Sequence, residues 1–414
     1  MSDTPRNLKA MLSEAKDASE LMVDLGYAAL FFGDVRMAEE VQELEERLDA
    51  LVHEMREVCI MAARSPHDAE QMSSVLHVVS AIERMGNAAV GVSRIVTHRL
   101  GIPAVLVADL AQAEEVSHRV RVREESALAH RSLAALELPV SVGMRVVAIR
   151  RGKDWIIDPD GDETLLPDDV LILRGPPAGI DELRVLANAP EWRPPPVEED
   201  PAITDLDRAV DVLVEMKNLS EVAVGLAYSA LLLNDQSLAA EVNHLEDRLD
   251  EMRERLEVWV LRAAGERLDP SPLRGLLHLG AAAEELGDSA QQMVWLVERG
   301  EEMHPVLAIA LGDTDEVTAR VPVAPGSALD GRTLRRTEFE LETGYYLLAI
   351  RRAGRYVYRP RGAVTLHAGD ELIAIGPDEG HARLAELGGY HLLEDDATGE
   401  IELQPAPERV GHGS

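Results

Sequence analysis

The hexapeptide LEERLD at Leu44–Asp49 returns as LEDRLD at Leu245–Asp250, 201 positions later. The same offset carries LGYAAL (Leu25–Leu30) onto LAYSAL (Leu226–Leu231), SALAHRSL (Ser126–Leu133) onto SALDGRTL (Ser327–Leu334), and AIRR at Ala148 onto AIRR at Ala349. His77 falls on His278, Glu83 on Glu284, Gly86 on Gly287, Asn87 on Asp288, Pro159 on Pro360 and Asp169 on Asp370. One ungapped register covers both halves. The period is far too long for a solenoid, so the chain must fold as a tandem of two equivalent units.

Each half changes its hydrophobic period once. Leu8, Met11, Leu12, Ala15, Met22, Leu25, Ala29 and Phe32 follow the 3/4 spacing of one amphipathic helix, which Gly33–Asp34 breaks. Val41, Leu44, Leu48, Leu51, Met55 and Val58 mark a second helix, interrupted at Arg64–Asp68 with Pro66 as the breaker. A third runs from about Asp68 to Leu100 on Met72, Val75, Val79, Ile82, Met85, Ala89, Val92 and Val96. Asn234–Asp235 and Asp269–Pro272 repeat the two breaks, so each half opens with a three-helix bundle.

The rest of each half alternates with a period of two. VSHRVRV (Val116–Val122), MRVVAIRRG, DWIIDP and DDVLILRGP read as four strands, with Ser126 capping a short helix that ends near Pro139. A closing helix spans about Ala178–Asn188. VTARVPV, YYLLAIRRAG, RYVYRP and DELIAIGP repeat the strands, Ser327 the cap, and a helix follows from about Asp378. The fold class expected is multidomain α and β, three-helix bundles alternating with small α+β domains in tandem duplication. The boundaries are 1–108, 109–190, a proline-rich extended linker 191–204, then 205–308, 309–392 and an acidic tail 393–414, unstructured beyond about Asp395.

Composition narrows the function. Aromatics are only 3%, so the cores must be aliphatic, and the single cysteine, Cys59, reads as a buried helical residue. The longest apolar run, Val222 to Leu233, is shorter than the ~20 residues that span a bilayer. The polar N-terminus lacks a signal-peptide pattern, which points to the cytoplasm. A formal charge of −34 argues against nucleic acid as a partner, and lysine occurs only at Lys9, Lys16, Lys153 and Lys217. An acidic, lysine-poor surface is that of proteins working in molar salt, where charge is screened within ~3 Å. An acidic interaction surface is the competing reading.

The helical pieces resemble the PhoU family, whose second helix carries E-x-x-x-D and whose third carries a pattern like L-E-R-I-G-D. Here these are Glu45/Asp49 and Glu246/Asp250, with IERMGN (Ile82–Asn87) and AEELGD (Ala283–Asp288). The α+β pieces resemble the C-terminal RCK subdomain of TrkA-type potassium regulators (RCK-C, or TrkA-C). GSALDGRTL (Gly326–Leu334), AIRR, Pro360 and AGDELIAIG (Ala368–Gly376) carry that likeness. In the first copy His130 stands where Gly331 does and Asp168 where Gly369 does.

Residues one turn apart share a helix face, so Glu45 with Asp49, Glu83 with Asn87, Glu246 with Asp250 and Glu284 with Asp288 each project together. The PhoU resemblance implies a divalent metal on these oxygen ligands; a solvated face bridged to Arg47, Arg84 and Arg248 is the alternative. Asn87 weakens the first site. His77 and His278 lie off that face and read as packed histidines. The RCK-C resemblance implies cyclic di-AMP or another small ligand between two paired subdomains. Arg351 and Arg352, or Arg150 and Arg151, would meet its phosphates. Tyr358 and Pro360, or Ile157 and Pro159, would flank a base. The alternative is that each arginine pair only ends a strand toward solvent.

No G-x-G-x-x-G, P-loop or G-x-S-x-G is present, which argues against nucleotide sensing through a Rossmann domain and against an enzyme. The resemblance implies a soluble regulatory subunit of cation transport, docking through its bundles to a membrane potassium channel, transporter or antiporter. One chain would then supply both halves of a pseudo-dimer, with a homodimer left open. A PhoU-type metal-binding regulator of phosphate uptake is the alternative, and a scaffold without ligand is the third reading.

Overall fold

A computed structural model describes residues 7–110, 116–193, 204–265, 271–301, 303–312, 314, 316–394 and 401–406. Positions 194–203 of the linker expected at 191–204 lie outside them. The chain forms two compact units, Met1–Ser132 with Val146–Thr314, and Leu133–Arg145 with Asp315–Ser414.

The first unit holds both helical bundles. Helices α1 (Leu8–Phe32), α2 (Val35–Ala62) and α3 (Pro66–Thr97) pack together, and α3 also packs on the third helix of the second bundle. The breaks are made by the residues the pattern marks. Gly33 adopts φ +60° and Asn234 φ +48° to end the first helix of each bundle. Asp34 then caps α2 by accepting the amides of Arg36 and Met37, and Ser65 with Pro66 starts α3. After α3 comes α4 (Ala104–Leu110).

A sheet of β1 (Val116–Arg121), β2 (Arg145–Arg151), β3 (Asp154–Ile157) and β4 (Val170–Gly175) follows in the order β1-β4-β2-β3. Between β1 and β2 the chain makes α5 (Leu133–Leu136) and α6 (Leu138–Val142), and α7 (Gly179–Leu186) closes the module. The second bundle is α8 (Asp205–Leu233), α9 (Gln236–Gly265) and α10 (Ser271–Glu298), followed by α11 (Val306–Leu311). The connectors cross over. Helix α4 packs on α8, and α11 packs on α1 as well as on α8, with Ser13 Oγ donating to Ala310 O at 2.8 Å.

The second unit contains β5 (Glu316–Pro322), α12 (Leu334–Thr337), α13 (Phe339–Thr343), β6 (Tyr346–Arg352), β7 (Arg355–Tyr358), β8 (Glu371–Pro377) and α14 (His381–Gly388). Its strand order, β5-β8-β6-β7, reproduces that of the first copy. Val321, Leu329, Phe339, Tyr345, Ile350, Leu372 and Leu384 form its core. Helices α5 and α6 of the first copy belong to this unit, and α6 packs on α13.

Two expectations need correcting. Ser126 and Ser327 do not cap a helix. They sit in turns, and the helices begin at Leu133 and Leu334, because His130 and Gly331 take φ of +62° and +75°, which no helix can continue through. Pro139 lies in the first turn of α6 rather than at a helix end. The tail is also structured in its described part. β9 (Tyr390–Glu394) pairs antiparallel with β10 (Ile401–Pro405), and Leu403 packs against the core. Alternating Ile401 and Leu403 were the signal in an otherwise acidic stretch.

Candidate functional site

Three of the four carboxylates expected in the second bundle converge. Glu246 and Asp250 lie one turn apart on α9 and Asp288 faces them from α10, with one oxygen of each within 4.8 Å of the others. The helices come this close because Gly280 and Gly287 on α10 make room for Leu256 and Leu249 of α9; a Cβ at Gly287 would stand 2.5 Å from Leu249 Cδ1. Burial, then Asp250 and Asp288, push the Glu246 carboxyl up to about 7. Gln291 Nε2 donates to Glu246 Oε2 at 2.7 Å. Glu284, the fourth expected ligand, turns to Arg253 instead. Arg84, reaching from α3 of the other bundle, donates to Asp288 Oδ2 at 3.0 Å and to Gln292 Oε1 at 3.1 Å.

The first bundle differs at the same positions. Arg56 takes both oxygens of Glu83, at 2.5 and 3.4 Å. Asn87 turns its amide back to Glu83 O at 3.2 Å. Burial and Asp49 raise the Glu45 carboxyl, and Arg94 opposes them. Trp295 stands where the register would repeat Arg94. Both sets are oxygen donors of the kind a hard divalent cation takes, but among the described residues only the second bundle's trio converges, because Arg56 holds Glu83 in the first. His77 packs against Trp295, ring centroids 5.1 Å apart, as expected, whereas His278 is exposed and is not the packed histidine the sequence suggested. Cys59 is fully buried, which pushes its thiol up to about 11.

In the α+β modules the two arginines of each AIRR part company. Arg352 donates from Nε and Nη2 to Asp370 Oδ1 and Oδ2 at 2.7 and 2.6 Å, and also to Thr365 O at 2.7 Å. Arg151 repeats this on Asp169 at 3.0 and 2.8 Å, with Thr164 O at 2.9 Å and Glu163 at 2.9 Å. These arginines fasten the turn before the last strand to the central strand. The signal for them was the aspartate of that turn in both copies, which is buried to within 2%.

Arg351 pairs instead with Glu371 at 2.7 Å, opposite Tyr356 in the strand register, and Arg150 stands opposite Trp155. Tyr358 stacks parallel to Tyr356, centroids 6.4 Å apart. Pro360 and Pro159 follow residues of positive φ, Arg359 at +39° and Asp158 at +47°, whose amides donate to Leu348 O and Val147 O. Ile157 is half-buried opposite Ala148.

Helices α6 and α13, both in the second unit, pack on each other. Gly344, at φ +71°, ends α13 so close to α6 that a Cβ there would meet Pro139 O at 2.7 Å. Arg145 donates to Glu316 Oε1 at 3.0 Å in the same unit.

The family model of the TrkA-C domain matches residues 118–188 and 318–388, and that of the PhoU domain matches residues 12–96 and 213–297. Among solved structures, PhoU from Pseudomonas aeruginosa is similar at 16% identity over 71% of this chain and 96% of its own, with a TM-score of 0.38. The GsuK RCK domain is similar at 14% identity over 67% of this chain and 64% of its own, with a TM-score of 0.18. The GsuK channel bound to NAD is similar at 14% over 66% and 53%, also with a TM-score of 0.18. The chain therefore spans less than two thirds of either GsuK chain. No curated protein matches. Among the described residues, no helix is long and apolar enough to cross a membrane.

Proposed function

Since the chain is a tandem of two PhoU domains and two TrkA-C domains, both regulatory rather than enzymatic families, we infer that it regulates cation transport, with potassium as the ion. It acts from the cytosolic side of a membrane channel, transporter or antiporter. The TrkA-C domains sense a small ligand and the PhoU domains dock on the transporter or transmit the signal. The observation that supports this reading is the contact of α6 with α13, with Gly344 against Pro139. That contact supports a pseudo-dimer of the kind that the resemblance associates with ligands such as cyclic di-AMP. Arg351, Tyr358 and Pro360, with Arg150, Ile157 and Pro159, are the residues to test for it. Arg151 and Arg352 are committed to Asp169 and Asp370.

The carboxylate trio Glu246, Asp250 and Asp288 favours a second reading, a metal-loaded regulator of phosphate uptake. The experiment that separates them is capture of the tagged full chain from solubilised native membranes in molar KCl. Enrichment of a potassium channel, transporter or antiporter supports the first reading. Enrichment of phosphate-transporter components overturns it in favour of the second.

A further inference from the structure

Two of the chain's four lysines are buried, and they are equivalent under the 201-residue register: Lys16 on α1 is 2% exposed and Lys217 on α8 is 6% exposed. Each donates to the glutamate one turn on, Lys16 to Glu20 Oε2 at 2.7 Å and Lys217 to Glu221 Oε2 at 2.8 Å. Each also lies over a tyrosine of the other bundle. Lys16 Nζ is 5.2 Å from the Tyr228 ring centroid, and Lys217 Nζ is 5.2 Å from that of Tyr27. Tyr27 and Tyr228 are themselves equivalent, so the contacts cross. A compact ammonium can rest on a ring and donate to a carboxylate at once, which a planar guanidinium does less readily. That explains lysine here in a chain whose other basic residues are nearly all arginine.

The two crossings differ in what holds them. Tyr228 Oη reaches Met85 Sδ at 3.7 Å and Ser19 Oγ at 3.5 Å. Among the described residues, the buried Tyr27 hydroxyl has no hydrogen-bond partner, nor has Asn218 Oδ1 beside Lys217. Asp24, one turn before Tyr27 on α1, is paired with Arg174 of β4. Arg119 of β1 lies over Phe32 at the end of the same helix, 5.0 Å from its centroid. In the second copy Gly225 and Ile375 stand where Asp24 and Arg174 would be. The second copy therefore lacks the residues that make this ion pair in the first.

We propose that the crossed lysines form a latch that fixes the orientation of the two PhoU domains, and that Arg174 couples the first TrkA-C sheet to that latch through Asp24. Buried charges are costly and serve best to fix register between elements. An incompletely satisfied pair is the half that switches, and here it is the half tied to the sheet. The device operates whatever ligand the sheet's domain binds.

The test uses the full chain with Cys59→Ser and spin labels at the equivalent exposed positions 50 and 251, on α2 and α9. Lys16→Met with Lys217→Met should shift or broaden the interlabel distance distribution while helix content stays unchanged. An unaltered distribution overturns the latch. Glu221→Gln removes the charge partner with little change of shape and should act in the same direction, which keeps the test open where the double variant fails to fold. Arg174→Gln should speed amide exchange in α8 around Lys217 and Glu221 by roughly tenfold. Acceleration confined to β4 and the end of α1 would show Arg174 to be a local staple and overturn the coupling.

Discussion

Arg352 holds Asp370 by two parallel hydrogen bonds, at 2.7 and 2.6 Å, and the aspartate beneath it is only 2% exposed. Burial alone would raise the Asp370 carboxyl, but Arg352 and the His367 amide outweigh it and hold it below the usual carboxylate range. The contribution to stability is then present above the unfolded-state value, near pH ~4, and is lost as pH falls through the folded-state value. Arg352→Gln leaves the carboxylate buried and uncompensated and should cost about 2–3 kcal/mol at pH 7, discounted for the part-exposed guanidinium. Urea unfolding at pH 7 and pH 3 checks it; an equal loss at both would separate the effect from ionisation of Asp370.

The two carboxylate sites should not behave alike. Titration with Mn²⁺ should find one site per chain, abolished by Glu246→Gln with Asp288→Asn and indifferent to Glu45→Gln. Arg84 competes for Asp288, so Arg84→Gln should tighten binding several-fold. Asn87→Asp alone should not create a second site, because Arg56 keeps Glu83. Two equivalent sites by calorimetry, or none, would defeat this reading of the asymmetry.

His130 and Asp168 hold left-handed conformations, φ +62° and +71°, where the second copy has Gly331 and Gly369. Their surface contacts, His130 with Glu124 and Arg121 with Asp168, are exposed and contribute little. His130→Gly and Asp168→Gly should each leave stability unchanged or raise it by up to about 1 kcal/mol. Gly331→His and Gly369→Asp should lower it. Melting curves of the four variants decide it, and a loss on either substitution to glycine would mean that the surface contact outweighs the backbone strain.

The tandem organisation was legible because duplication writes every core position twice. The breaks at Gly33–Asp34 and Asn234–Asp235 fell where the helices end, since a left-handed residue followed by a capping aspartate is a local signal. The strands were legible for the same reason. What sequence did not show was nonlocal. Nothing in AIRR tells which arginine meets Asp370 and which meets Glu371, because that depends on which sheet face each one occupies. The crossing of α4 and α11, and of Lys16 and Lys217, is a choice of partner that both copies satisfy with unchanged local patterns. Apart from Asn87, the candidate ligands of the two bundles looked alike in sequence, and it took Arg56, Arg84 and Arg253 from other helices or turns to separate them.

The pairing of α6 with α13 can be tested at one glycine against another. Gly344 and Gly354 both take positive φ, +71° and +77°, so a methyl group strains the backbone at either by about 1 kcal/mol. A Cβ at Gly354 would have nothing within 4 Å, whereas at Gly344 that carbon would stand 2.7 Å from Pro139 O and 3.1 Å from its carbonyl carbon. Both of those atoms are backbone and cannot swing aside. Gly344→Ala should therefore destabilise by roughly 2 kcal/mol more than Gly354→Ala. It should also accelerate amide exchange in Leu138–Val142 and Phe339–Thr343, the two helices in contact. If the two alanine variants lose stability equally and exchange in α6 is unmoved, the close approach of Gly344 to Pro139 does not hold α6 against α13.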